Sequence, residues 1–153
     1  MEEDYLEIFP ELEKDNHFEI TSRQDIKYNC IAWAAFYDDR WMWPPGGYTL
    51  DGVVFYWPEG IEKNEKIETF INAFESLGYS ICEDSDYENG YRKIALYTDE
   101  EGNCTHAARQ KNNGLWTSKL GREHDIAHGN PYSIQGGDYG KVACILRKEM
   151  INL

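Results

Sequence analysis

The sequence predicts an α+β domain, and three observations predict it. An apolar run starts at Cys30, straight after Asn29, a residue that can cap a helix. Ile67, Phe70, Ile71, Phe74 and Leu77 then recur at helical spacing. From Tyr79 onward the apolar period changes to two, broken by turn-forming clusters. The order is two helices followed by an antiparallel meander of about five strands.

Residues 1–16 hold seven carboxylates (Glu2, Glu3, Asp4, Glu7, Glu11, Glu13, Asp15) and one lysine. Leu6, Ile8, Phe9 and Leu12 give this stretch apolar groups to dock with, so residues 1–20 read as an acidic arm lying on the domain. The first helix is expected from Cys30 to about Asp38, apolar all round and therefore central. Trp41-Met42-Trp43-Pro44-Pro45-Gly46-Gly47 forms a rigid turn, because two prolines and two glycines stop any helix. Val53 to Trp57 is a short strand. Asn64 caps the second helix and Gly78 stops it. Strands are expected at Tyr79–Cys82, Arg92–Tyr97, Cys104–Arg109, Leu115–Leu120 and Lys141–Leu146. Lys111-Asn112-Asn113-Gly114 is a hairpin signal, and His124, Asp125 and His128 are placed in a loop.

A chain of 153 residues with 41% hydrophobic content suits a single domain over 1–153. No stretch of 18 apolar residues predicts a membrane span, and the acidic N-terminus is unlike a signal peptide. A cytoplasmic setting is expected, unless export uses another route. The net charge of −13 argues against nucleic acid as a partner and is compatible with basic peptides or proteins. Four cysteines without a CxxC pair predict reduced thiols and neither a zinc knuckle nor a disulfide scaffold.

Cys30 is the candidate nucleophile. At the first position of a helix a thiol feels the positive end of the macrodipole, and nearby amides suit an oxyanion. The plain alternative is a small buried hydrophobe. His106, on the third strand of the meander, is the candidate base, since a Cys–His contact lets the thiol pass its proton to imidazole. Such a histidine needs an orienting acceptor. Strand alternation makes Ser118 the first choice, and Asp125 is chemically the better acceptor in a less constrained place. Gln24, six residues before Cys30, is either a second oxyanion donor or an exposed loop residue. Trp43, Trp57 and Trp116 either wall a substrate cleft or form a packed cap. His124 and His128 are four apart, but no third ligand accompanies them and no metal is expected.

A helix-borne cysteine, a strand histidine and a polar residue on the next strand resemble the papain-like superfamily, its NlpC/P60-type hydrolases in particular. The spacing of twelve from His106 to Ser118 is similar to that branch, and the Gln24-to-Cys30 spacing to papain. The chain lacks papain's Cys-Gly-Ser-Cys-Trp signature. The whole chain also resembles an uncharacterised bacterial family, in Tyr28–Ala34, Trp43–Pro45, Tyr56–Pro58, Thr105–Gln110 and Trp116–Gly121. The superfamily resemblance implies a papain-like fold and a cysteine hydrolase or acyl transferase acting on an amide or isopeptide bond. It implies a peptide or protein substrate and no cofactor. The alternative expectation is a non-catalytic acidic module that binds a protein partner.

Overall fold

The computed structural model describes residues 2–22, 25–120 and 124–150. It is a mixed α+β structure, mostly sheet. The elements are α1 (Glu2–Ile8), a 3-10 turn (Pro10–Lys14), β1 (Glu19–Ile20), α2 (Cys30–Ala34), β2 (Trp41–Met42), β3 (Tyr48–Leu50) and β4 (Val53–Tyr56). They continue as α3 (Ile67–Ser76), β5 (Ser80–Cys82), β6 (Tyr91–Thr98), β7 (Cys104–Gln110), β8 (Trp116–Lys119), β9 (Asp125–His128), a second 3-10 turn (Pro131–Ile134) and β10 (Lys141–Glu149). No helix among the described residues is long and apolar enough to cross a membrane.

Seven strands form one antiparallel sheet in the order β1-β9-β8-β7-β6-β10-β5, against about five expected. The β6-to-β8 part of the meander was legible from its turns. Two features were not. Asp125–His128, expected in a loop, is a strand paired with β8 and β1. The last strand inserts between β6 and β5 and does not extend the meander. A second sheet, β2-β4-β3, comes from the Trp-rich region.

Alternation along the central strands divides the core into two. Ile94, Leu96, Ala107 and Leu146 face the helices and pack with Cys30, Ile31, Phe70 and Phe74. Ala95, Tyr97, Ala108, Trp116 and Ile145 face the other way, against Tyr5, Phe9 and Leu12 of the N-terminal arm. The arm does lie on the domain. Its end is tied down by Asp15, which accepts the Gly129 amide (2.7 Å) and the Ser133 hydroxyl.

The first helix is shorter than the Cys30–Asp38 expected. It ends at Ala34, because Phe36 turns to φ 69° and leaves the helical region. The second runs Ile67–Ser76 and stops at Gly78, whose φ of 99° suits a residue without Cβ. Asn64 sits before its start, accepting bonds from the Lys66 amide and the Thr69 hydroxyl. The Trp residues of the turn region pack on this helix: Trp43 and Trp57 stand 5.1 and 5.0 Å from the Phe70 ring. Phe70 is fully buried between them. Phe70→Ala is expected to cost about 3–5 kcal/mol in equilibrium urea unfolding, since it empties a site held by two rings that cannot collapse.

Candidate functional site

Asn29 caps α2 as predicted, its Oδ1 accepting the Ala32 amide at 3.0 Å. The same oxygen accepts Met42 N–H at 3.0 Å, and Nδ2 donates to the Met42 carbonyl at 3.1 Å. This buried amide therefore fastens the start of the helix to β2. Cys30 follows it and lies over β7. The backbone amides of Ala107, Ile31 and Cys30 itself act to lower its pKa. Burial dominates nonetheless and pushes the thiol up to about 11, against those amides and the charge of Lys119. At neutral pH Cys30 is a thiol, 8% exposed.

His106 is fully buried. Its ring lies flat on Tyr139 at 4.0 Å and tilted against Tyr97 at 5.2 Å. Tyr139 stacks in turn on Phe9 of the arm. The expected Cys30–His106 hydrogen bond is not made: neither ring nitrogen has a partner among the described residues. Strand alternation is the reason. Ala107 faces α2, so its neighbour His106 faces the arm side. A bulge where the register passes from Tyr97↔His106 to Thr98↔Cys104 then returns Cys104 to the helix side. Burial holds the His106 imidazole well below 6.5, with the charge of His128 adding to it.

Ser118, expected to orient His106, instead bonds His128 Nε2 at 2.9 Å. The opposite nitrogen, His128 Nδ1, bonds the Asn130 carbonyl at 2.8 Å. That carbonyl can only accept, so Nδ1 carries the proton and Ser118 donates to Nε2. The β7–β8 pairing, anticipated opposite His106, runs only over Arg109↔Thr117 and Gln110↔Trp116. Asp125 is on β9, opposite Lys119. Its Oδ2 accepts the Tyr28 hydroxyl at 3.0 Å and does not reach His106, while Oδ1 has no partner among the described residues. Burial raises this carboxyl, against the bonds from Tyr28 and Ser22. Gln24 lies outside the described residues.

Trp43 and Trp57 cap Phe70, and Trp116 is buried on the arm side of the sheet. Trp57 also lines a cavity of about 290 Å³ with Tyr48 and Phe55. His124 bonds the Tyr5 hydroxyl at 2.7 Å, a different partner from that of His128. Lys119 was not anticipated. It is fully buried, 5.2 Å over the Tyr28 ring, and its charge reaches Cys30 and Asp125. Nothing in its local sequence marks a buried lysine, which only the sheet register reveals.

His106 and His128 both have depressed pKa values, His128 down to about 4 through burial. Their stabilising effect is fully present above the unfolded value of about 6.5 and lost as pH falls through the folded value. His128 alone is expected to remove about 2 kcal/mol of stability between pH 7 and pH 5. His106→Leu should be no less stable than wild type at pH 7, because it replaces an unsatisfied buried group. It should also weaken the acid sensitivity read from urea midpoints at the two pH values.

No curated protein and no solved structure matches the chain significantly. A family model does, over residues 19–147, which takes in both sheets and leaves the helical part of the arm outside. The chain belongs to the family described as a domain of unknown function, DUF7689.

Proposed function

We propose that Cys30 is the nucleophile of an acyl-transfer reaction on an amide or isopeptide bond of a peptide or protein, with His106 as its base. The observation that carries this reading is the place of Cys30 at the start of a capped helix, where its own amide and those of Ile31 and Ala107 act to lower the thiol's pKa. A neutral thiol gains little from three donors. A thiolate, or the oxyanion formed when sulfur attacks a carbonyl, gains a great deal. His106 supports it as a neutral imidazole, the form a base needs, with both nitrogens uncommitted. Leaving them so costs about 1–3 kcal/mol inside a fold, and such groups gather at functional sites.

In this reading the resting pair is uncharged, a thiol on one face of the sheet and an imidazole on the other. On opening of the site the Cys30 proton passes to His106 and sulfur bonds to the substrate carbonyl carbon. Collapse expels the amine, which takes the proton from His106. Water or a second amine, deprotonated by His106, then releases the acyl group and restores the thiol. Helix-borne cysteine and strand histidine in this chain order support placing the fold beside the papain-like hydrolases. Four unpaired cysteines suit a reducing compartment such as the cytoplasm.

The rival reading, a non-catalytic binding module, is favoured by the small sheet, which leaves Tyr48, Leu50 and Val54 exposed. Iodoacetamide labelling, resolved by cysteine in mass spectrometry, separates the two. If Cys30 is the nucleophile, it labels at pH 7 faster than the more exposed Cys82, and His106→Leu slows it at least tenfold while leaving Cys82 unchanged. Labelling of Cys30 slower than Cys82, and equal in wild type and variant, would leave only the binding module.

A further inference from the structure

The chain has 28 acidic and 15 basic residues, yet one cavity has the opposite sign. It holds about 270 Å³ and lies between the turn after α2 and the ends of β6 and β7, lined in part by Phe36, Tyr91, Arg92, Arg109 and Lys111. No carboxylate lines it among the described residues. The guanidinium carbons of Arg92 and Arg109 each stand 4.2 Å from the centre of the Phe36 ring. Neither arginine, nor Lys111, pairs with a carboxylate among the described residues. Neighbouring cations do: Lys93 reaches Asp84 at 3.0 Å and Arg147 reaches Glu88 at 2.6 Å. A surface so rich in carboxylates gives these three no ion pair among the described residues, although the charge of Asp125 acts on Arg109.

The arrangement carries a cost in itself. Two guanidiniums on one ring repel each other, and burial, with a smaller push from Arg92, takes Arg109 down to about 10 against the charge of Asp125. Phe36 adds strain, since φ of 69° is rare for a bulky residue and 41% of its surface is exposed. One part of Arg109 has a structural explanation. It donates to the Trp33 carbonyl at 3.0 Å and lies 3.4 Å over the Trp33 ring. The rest of its fork makes no other bond among the described residues, and Arg109, Arg92 and Lys111 line the cavity together. Guanidinium forks match the paired oxygens of carboxylate and phosphate, and rings at the wall suit an apolar body behind the charge.

We propose that this cavity binds a small oxyanion, a carboxylate or phosphate group, held by Arg92, Arg109 and Lys111 with its body against Phe36. The site is independent of the Cys30 reading and stands or falls separately. Titration calorimetry of the full chain with glutarate and with pyrophosphate, in about 150 mM NaCl, tests it. Saturable binding of either below about 1 mM is expected. Binding of glutarate alone would identify a carboxylate ligand, and of pyrophosphate alone a phosphate ligand. Arg92→Gln and the exposed Lys111→Gln should each weaken it, the first at least tenfold. Lys14→Gln, on the arm, should leave it unchanged. No saturable binding by either anion would overturn the proposal. So would variants that bind as wild type does, or an equal loss in Lys14→Gln.

Discussion

The hydrogen bonds of the Asn29 side chain are the constraint on which the placement of Cys30 depends. A five-residue helix does not hold itself together, because nucleation is costly and few bonds repay it. α2 is held from outside at both ends. At its start Asn29 spends both side-chain atoms, on the first turn and on both backbone groups of Met42. At its end Arg109 takes the Trp33 carbonyl, while the Trp33 indole donates to Thr117 at 3.1 Å. Clamped between the small sheet and strands β7 and β8, the helix has one position available. Cys30 at its start is then held against β7 as a consequence.

The sheet separates what chain order suggested would meet. On the helix side stand Cys30, Ala107, Arg109 and Lys119, and on the arm side His106, Ser118, His128 and Tyr139. Cys30 and His106 thus stand on opposite faces of β7. The burial that moves both groups toward their uncharged forms also keeps this separation from being costly. Two neutral groups attract each other only weakly, and no ion pair is lost by leaving them apart.

What was legible in the sequence was local. The Asn29 cap, the helix through Phe70 and Phe74, and the turn at Lys111–Gly114 each depend on neighbours within a few residues. What was not legible depends on register. His106 and Ala107 are adjacent, so one step of alternation decides which faces the helix, and a bulge at the start of β7 resets that count for Cys104. Ser118 was picked as the partner of a histidine and is one, but of His128, because β8 continues its pairing with β9 after it has left β7. The length of Asp125–His128 hid it as a strand, four residues being too few to show a period.

The two buried histidines compare like with like. Both are fully enclosed on the same side of the sheet, and burial depresses both. The fold serves His128 completely, with a hydroxyl on one nitrogen and a carbonyl on the other. An imidazole kept only for packing can thus be satisfied in this interior, and evidently is. His106 is equally buried and has no bond on either nitrogen among the described residues. A leucine would fill that space without the penalty, and a hydroxyl opposite, as for His128, would remove it. Since packing accounts for the ring but not for its two bare nitrogens, the residue requires an explanation beyond stability.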